Sequence, residues 1–271
     1  MKNEKILYTK DIFIVYAICI ALLIVGTFLD EVAVTHAVLA NNHVFCLIAN
    51  YVSLPFTVFI SVIGMMMIAN RNCQNAIKSI GTVVLGLIFV VLGILFQYFL
   101  VMKNVPEANP LVHIIICSVI HILSDLLVVQ ATYHSDTQEV RKAIEMVIIT
   151  ALIALLLGYV MNQLCGRTHY FLSQKFEPWY TFKGFTGFDY YSFPSMYMTR
   201  TSIVLLLPIS PIVFRRFRYA EREFLYLSFI LVLVLGVIRV ISGYDYISSV
   251  AMSIIIFFTV EIIAIKVIYG N

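Results

Sequence analysis

Residues 79–101 read SIGTVVLGLIFVVLGILFQYFLV, without a single Asp, Glu, Lys or Arg. About 20 apolar residues carry a helix across roughly 30 Å of hydrocarbon, and this run is long enough to do so. It is continuous, unlike the alternating strands of about ten residues that build a membrane barrel. Its neighbours have the same character: 12–29, 52–69, 111–130, 144–165, 196–214, 223–242 and 247–265. The sequence therefore predicts an all-α fold, a polytopic membrane helix bundle of about eight transmembrane helices.

Composition agrees. Hydrophobic residues make up 61% of the 271 positions and charged residues 12%, where a soluble domain carries roughly 25% charged residues. The mean hydropathy is +0.96. A chain this apolar cannot cover itself with a polar surface. The formal charge of +3 is too small to suggest a nucleic-acid partner. Cys19, Cys46, Cys73, Cys117 and Cys165 form no CxxC pair and show neither a metal signature nor a disulfide framework. No metal or other cofactor is expected. Lys2, Lys5 and Lys10 precede the first run as in a signal peptide, but no small-x-small cleavage pattern follows it, so it reads as a retained span.

The 18 Lys and Arg give the orientation. With the N-terminus inside, cytoplasmic segments hold Lys2, Lys5, Lys10, Arg71, Lys78, Arg141, Lys142, Arg215, Arg216, Arg218, Arg222 and Lys266. The outer side holds Lys103, Arg167, Lys175, Lys183, Arg200 and Arg239. The positive-inside rule favours this arrangement two to one, with both termini cytoplasmic in a plasma (cytoplasmic) membrane. The outer loop 30–51 has Asp30 and Glu31 and no Lys or Arg. The inner stretch Arg215–Arg222 reads as a topology anchor or an anionic-lipid contact. The outer loop 166–195 is long and aromatic, with Tyr170, Phe171, Phe176, Trp179, Tyr180, Phe182, Phe185, Phe188, Tyr190, Tyr191 and Phe193. It reads as an interfacial belt or as a lid over a headgroup site.

Three stretches carry a resemblance: Gly166-Arg167-Thr168-His169-Tyr170-Phe171 with Pro178-Trp179-Tyr180, then Ser192-Phe193-Pro194-Ser195, then Arg239-Val240-Ile241-Ser242-Gly243-Tyr244-Asp245-Tyr246. In these the second half, roughly 144–265, resembles the type 2 phosphatidic acid phosphatase family, integral-membrane lipid phosphatases related to vanadium haloperoxidases. The resemblance implies a lipid-phosphatase-like six-helix domain over 79–271, preceded by two extra transmembrane helices over 1–78. It also implies a phosphate pocket built from three signatures. One is Lys, six residues, Arg-Pro; the second is Pro-Ser-Gly-His; the third is Ser-Arg, five residues, His, three residues, Asp. The cations hold phosphate oxygens, the third-signature His attacks phosphorus with the Asp orienting it, and the second-signature His protonates the leaving alcohol. A phosphoryl group in transfer spreads charge over its oxygens, so fixed cations, an oriented nucleophile and an acid are what the chemistry needs.

This chain departs from that pattern at most reacting positions. Asn162 stands for the Lys, with His169 and Tyr170 in place of Arg-Pro and Arg167 two residues away. Pro194 and Ser195 match, but Met196 and Tyr197 replace Gly and the acid His. Ile238 replaces Ser, Arg239 matches, Asp245 replaces the nucleophile His, and Ser249 replaces its orienting Asp. The spacing from Arg239 to Asp245 to Ser249 is kept. The phosphate-binding candidates are thus Arg239, Ser195, Arg167, Arg200 and Asn162. The expected function is a degenerate, non-hydrolytic binder of a lipid phosphate or anionic headgroup at the outer leaflet. The alternative is an active lipid phosphatase or phosphotransferase on a polyprenyl or glycerolipid phosphate, with Asp245 as nucleophile and His169 or Tyr197 as acid. Asp245 also reads as a plain counter-ion for Arg239.

Two further features stand outside this pattern. His113, Cys117, His121 and Asp125 recur every four residues and share one helix face, which suggests interhelical hydrogen bonds or a proton or metal role. Glu261 is expected to pair with a basic neighbour. A transporter reading would need helix breaks midway through paired spans, whereas Pro208 and Pro211 interrupt only one.

Overall fold

The computed structural model describes residues 9–37, 43–69, 76–104, 109–132, 137–170, 175–181, 191–213 and 220–270. Among these the chain is helical: α1 (Thr9–Thr35), α2 (His43–Tyr51), α3 (Leu54–Ala69), α4 (Ala76–Asn104), α5 (Pro110–Thr132) and α6 (Thr137–Cys165). Then come α7 (Met196–Thr201), a 3₁₀ helix (Ser202–Ile209), α8 (Ser210–Val213), α9 (Glu221–Ile241) and α10 (Ile247–Tyr269). Extended backbone pairs once among the described residues, in an antiparallel bridge between Thr168 and Tyr191.

The described residues include 7 helices long and apolar enough to cross a membrane. Their outward side chains, such as Phe13, Phe28, Ile77, Val91, Leu111 and Leu127, are large, apolar and exposed, as a surface facing lipid tails requires. The span at Ile247–Tyr269 is 56% buried inside the bundle and that at Ala76–Lys103 only 11%. Thus α10 is the central helix and α4 a peripheral one.

The expected span at 196–214 takes a different form. It is a shorter apolar helix, Met196–Ile209, most of it 3₁₀. The hydroxyls of Thr199, Thr201 and Ser202 each bond the carbonyl four residues back, and Pro208 has no N–H to donate. Both effects loosen the α ladder. A 3₁₀ helix rises about 2.0 Å per residue, so Met196–Val213 still reaches roughly 30 Å. The irregular backbone is enclosed by protein, with Ile203, Val204, Leu205, Leu206 and Ile209 all buried, the setting in which it is tolerated at membrane depth.

An ion pair and a cation–ring contact mark the two ends of the bundle. At one end Asp11, early in α1, accepts from Arg222 Nε at 3.1 Å and from Tyr226 OH at 2.6 Å, both early in α9. At the other, Arg239 in the last turn of α9 lies over the ring of Tyr197 in α7. Tyr197 and Arg222 therefore lie at opposite ends of the bundle.

Two expectations are corrected. The loop 30–51 is largely helical, because α1 continues to Thr35 and residues 43–51 form α2. Asp30, read as a loop acid, is a buried helix residue whose ion pair makes helix continuation favourable. Among the described residues Glu261 pairs with no basic neighbour: it is fully buried and both carboxylate oxygens lack a hydrogen-bond partner there. The nearest base along its helix, Lys266, is five residues on, about 140° round the axis, and exposed.

Candidate functional site

At the Arg239 end the bundle gathers the C-terminal ends of α1, α2, α6 and α9 and the N-terminal ends of α7 and α10. The α9–α10 turn explains why the Arg239-to-Asp245 spacing matters. Gly243 takes φ 72°, a left-handed conformation that favours glycine. The backbone N–H groups of Tyr244 and Asp245 then reach back to the Arg239 carbonyl at 3.1 and 3.4 Å. This returns the Asp245 carboxylate to its own helix, where Oδ2 accepts from Arg239 Nε at 2.7 Å, both side chains being almost wholly buried. Arg239 Nη1 donates to the Ala49 carbonyl at 3.2 Å, one of the carbonyls left open at the end of α2. The rings of Tyr197 and Tyr244 lie 4.3 and 4.8 Å from the guanidinium carbon. Asp245 Oδ1 has no hydrogen-bond partner among the described residues.

Arg167 belongs to a second pair. Its Nη1 donates to Asp30 Oδ2 at 3.0 Å and to Ser248 Oγ at 2.8 Å. Asp30 also accepts from the Ser248 backbone N–H at 3.1 Å and, closely, from the Ser248 hydroxyl. The Tyr246 ring stacks 3.3 Å from the guanidinium carbon. Nε and Nη2 of Arg167 are buried without hydrogen-bond partners among the described residues. The contact depends on Gly26: a Cβ there would sit 2.5 Å from the Ser248 nitrogen. Glycine lets α1 approach α10 closely enough for Asp30, one turn on, to reach Ser248.

Between the two pairs sits His169, whose Nδ1 lies 2.9 Å from the Tyr244 carbonyl. Burial pushes its imidazolium below the usual histidine range; the Asp245 carboxylate opposes this, and the Arg239 and Arg167 guanidinium groups add to it. The ring is thus neutral at pH 7. Arg200 is the third candidate arginine. It lies 5.4 Å from the Phe96 ring and 5.6 Å from Tyr197, and among the described residues no carboxylate is within salt-bridge distance of it.

Two residues expected to hold phosphate are engaged in the fold itself. Asn162 donates from Nδ2 to the Tyr191 and Pro194 carbonyls at 3.0 and 2.8 Å. Ser195 caps α7, accepting from the Met198 N–H at 3.2 Å, and its carbonyl accepts from Ser253 Oγ at 2.9 Å. Both are buried. Of the aromatic loop, Trp179 donates to Thr27 Oγ1 at 3.0 Å and stacks on Phe193 with centroids 5.2 Å apart. Phe171, Phe182, Phe185, Phe188 and Tyr190 lie outside the described residues.

Sequence reasoning missed Asp30, Ala49, Tyr244 and Ser248. Asp30 had a usable signal, an acid abutting a charge-free run, where ionisable groups tend to face the bundle. The Ala49 carbonyl had none, since every residue has one. No family model matches the sequence, and no curated protein or solved structure matches it either.

Proposed function

We propose that the chain is a divergent relative of the type 2 phosphatidic acid phosphatases that binds a lipid phosphate or similar anionic headgroup without hydrolysing it. It would do so at the outer leaflet of the plasma membrane, with both termini cytoplasmic and eight crossings. The observation that carries this reading is Arg200. It is a half-buried cation with no carboxylate in salt-bridge distance among the described residues, set against Phe96 and Tyr197 beside the Arg239–Asp245 pair. A charge at the edge of a hydrocarbon layer is costly unless an anion meets it, and a headgroup phosphate is the anion such a surface offers.

The same geometry argues against turnover. Asp245 is committed to Arg239, so its charge is already neutralised, and Arg167 is committed to Asp30. His169 is neutral, so it is not a strong acid for a leaving alcohol. The unpartnered Asp245 Oδ1 favours the second reading, attack by a carboxylate, because an attacking oxygen must be free.

The test uses purified protein with phosphatidic acid, phosphatidylglycerol phosphate and undecaprenyl pyrophosphate. No phosphate release is expected, together with binding that Arg200→Gln weakens about tenfold, the loss of one charge-assisted hydrogen bond. Turnover abolished by Asp245→Asn would establish the second reading. Absence of any lipid-phosphate binding would defeat both.

A further inference from the structure

The helix face shared by His113, Cys117, His121 and Asp125 is buried along its whole length. It meets a matching row at and along α3, where Ser53, just before the helix, and Thr57 and Ser61 within it also recur every four residues and are fully buried. At the site end the Tyr51 hydroxyl lies 2.6 Å from His113 Nδ1, and Tyr51 also faces the Cys117 thiol. One turn deeper, His121 Nδ1 lies 2.7 Å from the Cys117 carbonyl. A carbonyl only accepts, so Nδ1 carries the proton and Nε2 keeps a lone pair. That Nε2 is buried without a hydrogen-bond partner among the described residues, and the Thr57 carbonyl faces the ring. Gln97 of α4 accepts from Thr57 Oγ1 at 3.1 Å, while its amide nitrogen is buried without a partner. Another turn on, Asp125 Oδ1 accepts from Ser61 Oγ at 2.9 Å.

Asp125 lies twelve residues beyond His113, about 18 Å into the bundle. Beyond it the seam turns apolar: a cavity between α3, α5, α6 and the 3₁₀ helix is lined by Val58, Val62, Met66, Val128, Ala143 and Leu206. The polar row thus begins at the site end, at the part-exposed Tyr51, and stops at a carboxylate. The ionisable groups around it are few. α3 has none; α4 has Tyr98, with Lys78 and Lys103 at its ends; α2 contributes Tyr51.

We propose that this seam is a proton-binding relay, in which Asp125 takes up a proton delivered from the site end through His121. The arriving proton binds the lone pair of His121 Nε2, giving an imidazolium whose two N–H groups face the Cys117 and Thr57 carbonyls. It then passes, across a water held by the Gln97 amide, to the Asp125 carboxylate. His121 returns to neutral, and Asp125 becomes a neutral carboxylic acid. Two unpartnered polar groups, one acceptor and one donor, are what such a path leaves open for water. The relay is independent of whether the Arg200 surface binds lipid phosphate.

The test is infrared difference spectroscopy of the full chain in liposomes, with the pH changed on one side at a time. A protonated-carboxyl band should appear on mild acidification of the compartment facing the His113 end and not of the other. Asp125→Asn should remove the band and Glu261→Gln should retain it. Ser61→Ala keeps the carboxyl but removes its hydrogen bond, so it should move the band; His121→Phe should slow its appearance. A band that survives Asp125→Asn, that follows the opposite compartment, or that never responds to pH would overturn the proposal.

Discussion

Arg167 shows what a residue's neighbours decide that its motif position does not. Beside a Gly-x-Thr-His stretch it reads as a phosphate ligand; in the fold it is locked to Asp30, 137 positions away. Breaking such a buried pair by removing one partner costs about 3–5 kcal/mol, because a charge is left uncompensated. Asp30→Asn should therefore lower the thermal midpoint of the purified protein sharply, and Asp30→Asn with Arg167→Gln should recover much of the loss. If the single and double variants are equally unstable, the pair is not the source of the effect. His169 gives a pH prediction. Its folded pKa lies below the unfolded value of about 6.5, so its contribution is present above that value and is lost as pH falls through the folded pKa. Thermal midpoints from neutral to mildly acidic pH should fall for the native chain and fall less for His169→Gln. The Arg239-to-Asp245 spacing was legible from the sequence. Their roles as mutual counter-ions were legible only as one of two readings, because spacing does not say which partner a carboxylate takes.

At the scale of elements, hydropathy located the spans and misjudged their ends. An apolar count stops at the first charge, so it ended the first run before Asp30 and treated the following residues as loop. The helix continues to Thr35 because buried partners compensate that charge. The 3₁₀ stretch was hidden for a related reason: Ser202–Ile209 is apolar on every side, so no periodicity reports its pitch. The Thr199, Thr201 and Ser202 hydroxyls with Pro208 were the available signal. The α1–α10 contact allows a sharper test. A Cβ at Gly26 would meet main-chain atoms of Ser248 at 2.5 and 2.9 Å, and backbone cannot yield as a side-chain tip can. Gly26→Ala should force the helices apart and destabilise the protein by about 1–3 kcal/mol, the usual cost of overpacking. Gly81→Ala, where nothing lies within 4 Å, should be neutral or slightly stabilising in the same melting assay. Equal effects at the two positions would show that close approach is not what Gly26 provides.

For the whole molecule, the class was plain from one run of sequence, whereas the centrality of α10 was not, since runs of similar hydropathy differ in burial only through packing. The number of crossings turns on a single segment, and parity makes it measurable. Tyr197 lies beside Arg239 at one end of α9, and Arg222 lies beside Asp11 at the other. Met196–Val213, at roughly 30 Å with its 3₁₀ rise, is long enough to span the distance between those ends. The Lys and Arg assigned to the inside include Lys10, Arg141, Lys142, Arg222 and Lys266. These sit early in α1, α6 and α9 and late in α10, which is the Asp11 end throughout. A reporter fused after Lys142 should therefore read cytoplasmic, and one within 172–190 external. Eight crossings return the C-terminus to the side of the N-terminus, and seven leave it opposite. A reporter after Asn271 should accordingly match the one after Lys142. An external reading at the C-terminus, with Lys142 still cytoplasmic, would mean that 196–213 enters the layer without crossing it; inversion of all three would reverse the orientation and place the Arg200 surface inside the cell.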